Sequence, residues 1–352
     1  MPDSLAEVMF AIPGDIASPT GGYAYDRRLM ELCPSYGLTA RHIPLPGSFP
    51  APSHADLAET ERLLSDTPDN ARLLIDGLAY GAMPADLIER LGRRVIALVH
   101  HPLALEAGLS EERRVALATS ERAALALARL VIVTSDTTRR TLISDYGVDD
   151  QIITVAEPGT DPAPRATGTG MPMQLLSVGT VSHRKGYDVL IDALVMLDND
   201  DWRLTIAGAL DRDAGAVSAL QAKIEAAGFG ERITLAGTVV QATLARFYES
   251  ADLFVLPSRY EGYGMVLAEA MASGLAIICT TGGAAAETVP DEAALKVPPG
   301  DAAALARALA TVLGDNKLRK AMRKASWETG RTLPTWNETA RRVAAAIVGI
   351  RT

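Results

Sequence analysis

Cysteine is scarce in this 352-residue chain: only Cys33 and Cys279 occur, each in an expected element of a different half. Two isolated thiols give no disulfide framework, and a reducing compartment, the cytoplasm, is the expected setting. Lysine is missing from the first half altogether, Lys185 being the first in the chain. Residues 1–165 hold 15 arginines against 23 acidic residues, a net charge of −8, whereas residues 166–352 carry −1. A nucleic-acid partner demands basic patches, so none is expected. No uncharged apolar run approaches the roughly eighteen residues of a membrane span. The first residues, Met1-Pro-Asp-Ser-Leu-Ala-Glu7, place no basic stretch before an apolar one, so no signal peptide is expected. There is no cysteine–histidine cluster at zinc spacing, and no metal site is expected. No G-x-G-x-x-G follows the first expected strand, which argues against a dinucleotide-dependent dehydrogenase.

What remains is an ordinary soluble composition, 48% hydrophobic and 22% charged, in a chain long enough for two domains. Short apolar runs alternate with helical patterns from end to end, the signature of parallel α/β architecture. In the first half the runs are Val8–Ile12, Arg72–Ile75, Val95–Val99 and Leu130–Val133. In the second they are Gln174–Val178, Arg203–Ala207, Ile233–Leu235, Leu253–Leu256 and Ala276–Ile278. Amphipathic helices are expected over 106–129, 186–198, 214–227 and 301–313. The proline- and glycine-rich segment Glu157–Pro172 continues neither a helix nor a central strand and reads as a linker. The expected domains are therefore 1–165 and 166–332, each Rossmann-like.

The most informative segment is Glu261-Gly-Tyr-Gly-Met-Val-Leu-Ala-Glu269, where seven residues separate two glutamates across a glycine turn and a helix start. A strand, Leu253–Leu256, precedes it. Strand, glycine turn and helix together deliver backbone N–H groups and a helix dipole to a phosphate. Phosphate-binding amides beside placed carboxylates suit a nucleotide-sugar, with the carboxylates taking hydroxyl groups.

This segment resembles the E-x7-E signature of retaining glycosyltransferases of the GT-B fold, family 4 (glycosyl transferases group 1), and the likeness runs from Gly21-Gly22 to Trp336. The resemblance implies two Rossmann-like domains facing each other across a deep cleft, with a helix of about 333–352 crossing back onto the first. Glu269 would grip the ribose diol of the nucleotide and Glu261 the hydroxyls of the transferred sugar. The N–H groups of Gly264, Met265 and Val266 would face the diphosphate.

In Gly179-Thr-Val-Ser-His-Arg-Lys185, Arg184 and Lys185 would stabilise the charge of the leaving nucleoside diphosphate. The family normally carries an arginine where this chain has Thr180, and Arg184 is the candidate to replace it. Gly21 and Gly22 match the family's glycine loop over the donor phosphates, and Ala236-Gly-Thr-Val239 the loop whose backbone reads the base. Thr281-Gly-Gly283 and Glu287 match a loop under the donor, though a turn and a helix cap explain them equally well. At the end of Val95–Val99, His100 takes the family's active-site histidine position and His101 that of its aspartate, while His42, His54 and His183 read as ordinary loop residues.

The reading is a cytoplasmic, metal-independent retaining hexosyltransferase using a nucleoside-diphosphate sugar and an alcohol acceptor, with no further cofactor. Rival readings are another GT-B enzyme, such as a nucleotide-sugar epimerase, and a non-catalytic sugar-nucleotide-binding relative, which Thr180 favours. A small soluble acceptor is expected, because the likeliest membrane-facing segment, 105–130, balances four acidic residues against four arginines. A lipid acceptor and peripheral membrane contact stay open alternatives.

Overall fold

A computed structural model describes residues 6–198 and 201–349, apart from the side chain of Arg93. The chain forms two compact units: one contains residues 1–159 with 334–352, the other residues 160–333.

The first unit is built on a six-stranded parallel sheet. Its strands are β1 (Ala6–Pro13), β2 (Leu38–Leu45), β3 (Arg72–Asp76), β4 (Val95–Val99), β5 (Leu130–Val133) and β6 (Ile153–Val155), in the order β2-β1-β3-β4-β5-β6. The second unit repeats the design with β7 (Met173–Val178), β8 (Trp202–Ala207), β9 (Ile233–Gly237), β10 (Leu253–Leu256), β11 (Ala276–Thr280) and β12 (Ala294–Val297), in the order β12-β11-β10-β7-β8-β9. Parallel strands of this kind are apolar on both faces because helices cover both. β10 shows it directly: Leu253 and Val255 enter one core layer, Phe254 and Leu256 the other, and all four are buried. In both units the strand order reverses beside the first strand, and the loops at the carboxyl ends of the strands there form the crevice where such sheets bind ligands.

Three strands escaped the sequence reading: β2, β6 and β12. All are sheet edges. β2 alternates buried ends with half-exposed or exposed residues and contains Pro44, which an edge tolerates and a central strand does not. The helix expected over 106–129 begins only at Glu111 and ends at Leu125. Gly108 turns the chain in the left-handed region (φ 85°), and the Ser110 side chain then caps the helix by accepting from the Arg113 N–H.

Residues 160–165, assigned to the first half by sequence, belong to the second unit. The segment after them is anchored rather than tethered. Ala166 N–H donates to the Ser273 carbonyl at 2.8 Å, and Thr167 N–H to the Glu249 carbonyl at 2.9 Å. The helix Trp336–Val348 returns to the first unit and opens with a capping box from Thr335 and Glu338. Trp336 packs edge-on to Tyr25 at 5.8 Å, and the backbone at Gly159 passes so near that a Cβ there would lie 2.2 Å from the Trp336 nitrogen. Only glycine fits.

Candidate functional site

In the second unit, the residues expected to bind the diphosphate and the sugar converge on one carboxylate. Glu261 is buried, and its Oε1 accepts from Lys185 Nζ at 2.6 Å and from Ser258 Oγ at 2.5 Å. Arg184 lies 3.4 Å from Oε2 and donates to the Tyr260 carbonyl at 2.9 Å. Burial by itself raises the pKa of Glu261. The charges of Lys185 and Arg184, with the hydrogen bonds from Lys185 and Ser258, outweigh it and hold the group at about 2. The carboxylate is ionised at every physiological pH.

Backbone geometry fixes this cluster. After β7, Gly179 lacks the side chain that would collide with the Lys185 stem: a Cβ there would lie 2.9 Å from Lys185 Cε. The short turn His183–Lys185 is clamped by Arg259, whose N–H donates to the Arg184 carbonyl and whose guanidinium grips Asp188 at 2.9 and 2.7 Å. Gly186, in the left-handed region (φ 67°), lets the turn sit against the end of β10, where a Cβ would stand 2.2 Å from the Pro257 carbonyl oxygen. From the other side, Glu261 N–H donates to the Gly282 carbonyl and Ala284 N–H to the Glu261 carbonyl. The Thr281–Gly283 loop therefore acts on Glu261 itself, as a backbone clamp. Thr180 directly follows Gly179 and brings no cation, while Arg184 reaches the same carboxylate as Lys185.

Gly264 (φ 90°) starts the helix Met265–Ala272, so the N–H groups of its first turn, from Met265 and Val266, emerge beside Glu261. About one turn on, Glu269 accepts from the Tyr248 hydroxyl at 2.8 Å. Burial raises the pKa of Glu269, against the Tyr248 hydrogen bond, which lowers it. Val239, Met265 and Val266 pack against the same apolar layer. Glu287 falls in the turn of helix Ala285–Thr288.

In the first unit, Gly21 and Gly22 form the first turn of the helix Gly21–Leu32, capped by Thr20, rather than an open loop. Gly22 faces His100: a Cβ there would lie 3.3 Å from its Cδ2 and 3.4 Å from Nε2. The missing side chain thus admits the His100 ring. His100, at the end of β4, has Nε2 3.5 Å from both Asp26 and Asp76. His101 turns to Glu106, 3.3 Å away. Of the other histidines, His42 lies in β2, His54 opens a helix and His183 opens the short turn before Lys185, so none is a plain loop residue.

Sequence reasoning missed Ser258, Arg259, Tyr248, Asp26 and Asp76. Ser258 and Arg259 stand three and two residues before Glu261, just past the end of an apolar strand, and Asp76 ends β3 as His100 follows β4. The carboxyl-edge rule that singled out His100 applies equally to Asp76. Nothing in the sequence pairs Asp26 or Tyr248 with their partners.

Two six-stranded parallel sheets with flanking helices make this a GT-B protein. Sucrose-phosphate synthase from Thermosynechococcus elongatus shares the fold at a TM-score of 0.81 and 22% identity, covering 96% of this chain and 97% of that one. Family models match as well: "Glycosyl transferases group 1" over residues 164–329 and "Glycosyltransferase Family 4" over residues 41–164. The chain belongs to the group 1 glycosyltransferases. It is 28% identical over 239 residues to mannosylfructose-phosphate synthase of Agrobacterium fabrum, covering 62% of this chain and 53% of that protein. It is 33% identical over 199 residues to the lipopolysaccharide core biosynthesis mannosyltransferase LpcC of Rhizobium leguminosarum bv. viciae, covering 53% of this chain and 55% of that one. The chain thus spans about half the length of these curated relatives. Among the described residues, no helix is long and apolar enough to cross a membrane.

Proposed function

We propose that this glycosyltransferase moves a hexosyl group from a nucleoside-diphosphate sugar to the hydroxyl of a small acceptor with retention of configuration. The observation that supports it most is the pairing of Glu261 with Lys185 and Arg184 beside the helix start at Met265. Two cations and a turn of free-ended N–H groups suit a diphosphate, and an ionised carboxylate next to them suits sugar hydroxyls.

In the proposed reaction the bond from the anomeric carbon to the β-phosphate oxygen breaks, and its electron pair leaves with the nucleoside diphosphate. The acceptor oxygen bonds the anomeric carbon on the same face, and its proton passes to the departing phosphate. Lys185 and Arg184 meet the charge that builds on the leaving group, the role a divalent metal takes elsewhere. Glu269, about one helical turn past the helix start, takes the ribose diol.

The test is transfer from a panel of nucleoside-diphosphate hexoses to simple sugar, polyol and sugar-phosphate acceptors, with and without chelator. Acceptor-dependent release of nucleoside diphosphate that survives chelator and is lost in Lys185→Ala supports the reading. Activity that vanishes with chelator and returns with magnesium or manganese would sink the metal-independent form. Sugar inversion at a ring carbon without acceptor would make the protein an epimerase. Tight donor binding with no turnover, not even slow donor hydrolysis, would make it the non-catalytic relative that Thr180 suggests.

A further inference from the structure

The first unit holds a charge cluster that the proposed reaction leaves unexplained. Asp26 and Asp76 are both buried, yet both aim at the same nitrogen, His100 Nε2, from 3.5 Å. Neither Asp26 oxygen has a hydrogen-bond partner, and neither does His100 Nε2. Asp76 spends its other oxygen, Oδ1, on the Leu78 N–H at 2.8 Å. Two buried carboxylates on one neutral imidazole would be a costly arrangement, because an unpaired charge in a dry interior is penalised heavily.

The neighbours supply little relief. Tyr25 meets the imidazole edge-on at 5.4 Å and donates its own hydroxyl to the Ala156 carbonyl. Burial, then the nearby Asp26 charge, pushes the Tyr25 pKa well above the usual phenol value, so it is neutral. Cys33, near Tyr25, is pushed up to about 12 by burial and is neutral as well. Arg27 acts on Asp26 only through space, since its guanidinium donates to the carbonyls of Ile16 and Ser18. On the chain next to His100, His101 pairs with Glu106, and Thr134 donates its hydroxyl to the His100 carbonyl. Burial raises Asp26 itself to about 6, so above that pH it is ionised, and the remaining compensating charge at the centre of the cluster is a proton on His100.

We propose that Asp26 and Asp76 are positioning residues that keep His100 as an imidazolium, so that a fixed cation with an N–H donor stands at the carboxyl edge of the first unit's sheet. With Nε2 buried between the carboxylates, Nδ1 is the nitrogen left to donate to a ligand. This rests on the reading of His100 as a ligand-facing residue of a transferase. The electrostatics run the same way. Burial lowers the His100 pKa, but the close 3.5 Å approach and the charge of Asp26 and Asp76 raise it past this, to about 10. A neutral imidazole would alternate between donor and acceptor, whereas an imidazolium only donates. A hydroxyl or phosphate oxygen of the substrate would therefore meet a donor at every pH at which the enzyme works.

Histidine-selective NMR on the full chain, with His100→Gln to assign its signal among the five histidines, measures this without any activity. His100 should stay protonated through pH 8 in the wild type. Asp26→Asn and Asp76→Asn should each bring its titration down by at least one pH unit. Asn keeps the size of Asp and can still cap the turn at residue 76. In transfer assays the loss of kcat/KM should follow that titration: a variant whose His100 falls to about pH 7 keeps its activity near pH 6 and loses about tenfold relative to wild type at pH 8, whereas a fall of about one unit leaves the pH 8 activity unchanged and moves the decline to about pH 9. A wild-type His100 that titrates between pH 6 and 7, or Asn variants that leave its titration unmoved, would overturn the proposal. So would stoichiometric binding of zinc that Asp26→Asn abolishes, since the three side chains would then be metal ligands. Should no transfer be found, the NMR titration still decides the charge state; should transfer occur with an unshifted histidine, the transferase reading survives and this one falls.

Discussion

At the residue scale, the cluster around Glu261 changes what its substitution is expected to do. On sequence grounds alone Glu261 touches only the sugar, so its loss would leave nucleotide affinity unchanged. The 2.6 Å bond to Lys185 shows that it also restrains the cation proposed to meet the phosphate. Glu261→Gln removes a carboxylate that competes with the diphosphate, and UDP, GDP or ADP should bind up to about tenfold tighter, about 1.4 kcal/mol. The same variant should lose turnover at least a hundredfold. Glu269→Ala removes the carboxylate proposed to take the ribose diol and should weaken the nucleotide by about 1.5–3 kcal/mol. Calorimetry with the free nucleotide separates them, and comparable losses of affinity in both variants would refute the division of roles. The variants need a melting check, because removing one member of a buried ion pair costs about 3–5 kcal/mol when the other stays unpaired. The charged residues of this cluster were readable from sequence because each sits in a short motif after a strand. The partners that set their geometry were not: Tyr248 reaches Glu269 from 21 positions away, and Asp26 reaches His100 from 74.

At the scale of elements, legibility followed burial. Strands covered on both faces, such as β4 and β10, are unbroken apolar runs and were found, while the half-solvated edges β2, β6 and β12 were not. The glycine pair at Gly21 reads as a loop because it follows the first strand and matches the family's glycine loop, but the Thr20 cap and the approach of His100 favour it in this first helical turn. The helix Glu111–Leu125 carries a further feature invisible to pattern. Its Glu121 is buried, with Oε2 accepting from the Leu103 N–H at 2.9 Å and Oε1 unpartnered. Burial raises its pKa to about 8, outweighing the hydrogen bonds from Leu103 and Tyr146. A folded-state value above the unfolded one stabilises the protonated form. That contribution is complete below the ordinary 4.5 and is lost as pH rises through about 8. The first unit should therefore melt lower at pH 9 than at pH 6, and Glu121→Gln should flatten that dependence and raise the pH 9 melting temperature by a few degrees. Parallel pH slopes for wild type and variant, followed by calorimetry, would contradict it.

At the scale of the whole molecule, the acceptor is decided by what the surface offers, and the two curated relatives point to different classes, one named for a sugar phosphate and one for a lipopolysaccharide core. The first unit's arginines are largely engaged. Arg114 pairs with Glu111, Arg139 with Asp136 and Asp150, and Arg140 with Asp136, while Arg113 donates to the Pro50 carbonyl and Arg122 to that of Asp145. Exposed pairs of this kind are worth at most about 1 kcal/mol each and an anionic surface can still compete for them. With acidic residues interleaved, however, that surface presents little net attraction. The second unit differs: along the helix Asn316–Gly330, Lys317, Lys320 and Lys324 are exposed. Each basic residue near an anionic leaflet contributes about 1 kcal/mol, so three supply only millimolar-range attraction before the cost of association is counted. The protein should stay at the bottom of the gradient when floated with anionic liposomes at 0.15 M salt, and its acceptor should be a soluble sugar, polyol or sugar phosphate. Salt-sensitive flotation of most of the protein would overturn the soluble-acceptor reading, and Lys317→Glu with Lys320→Glu and Lys324→Glu would then show whether this helix carries the contact.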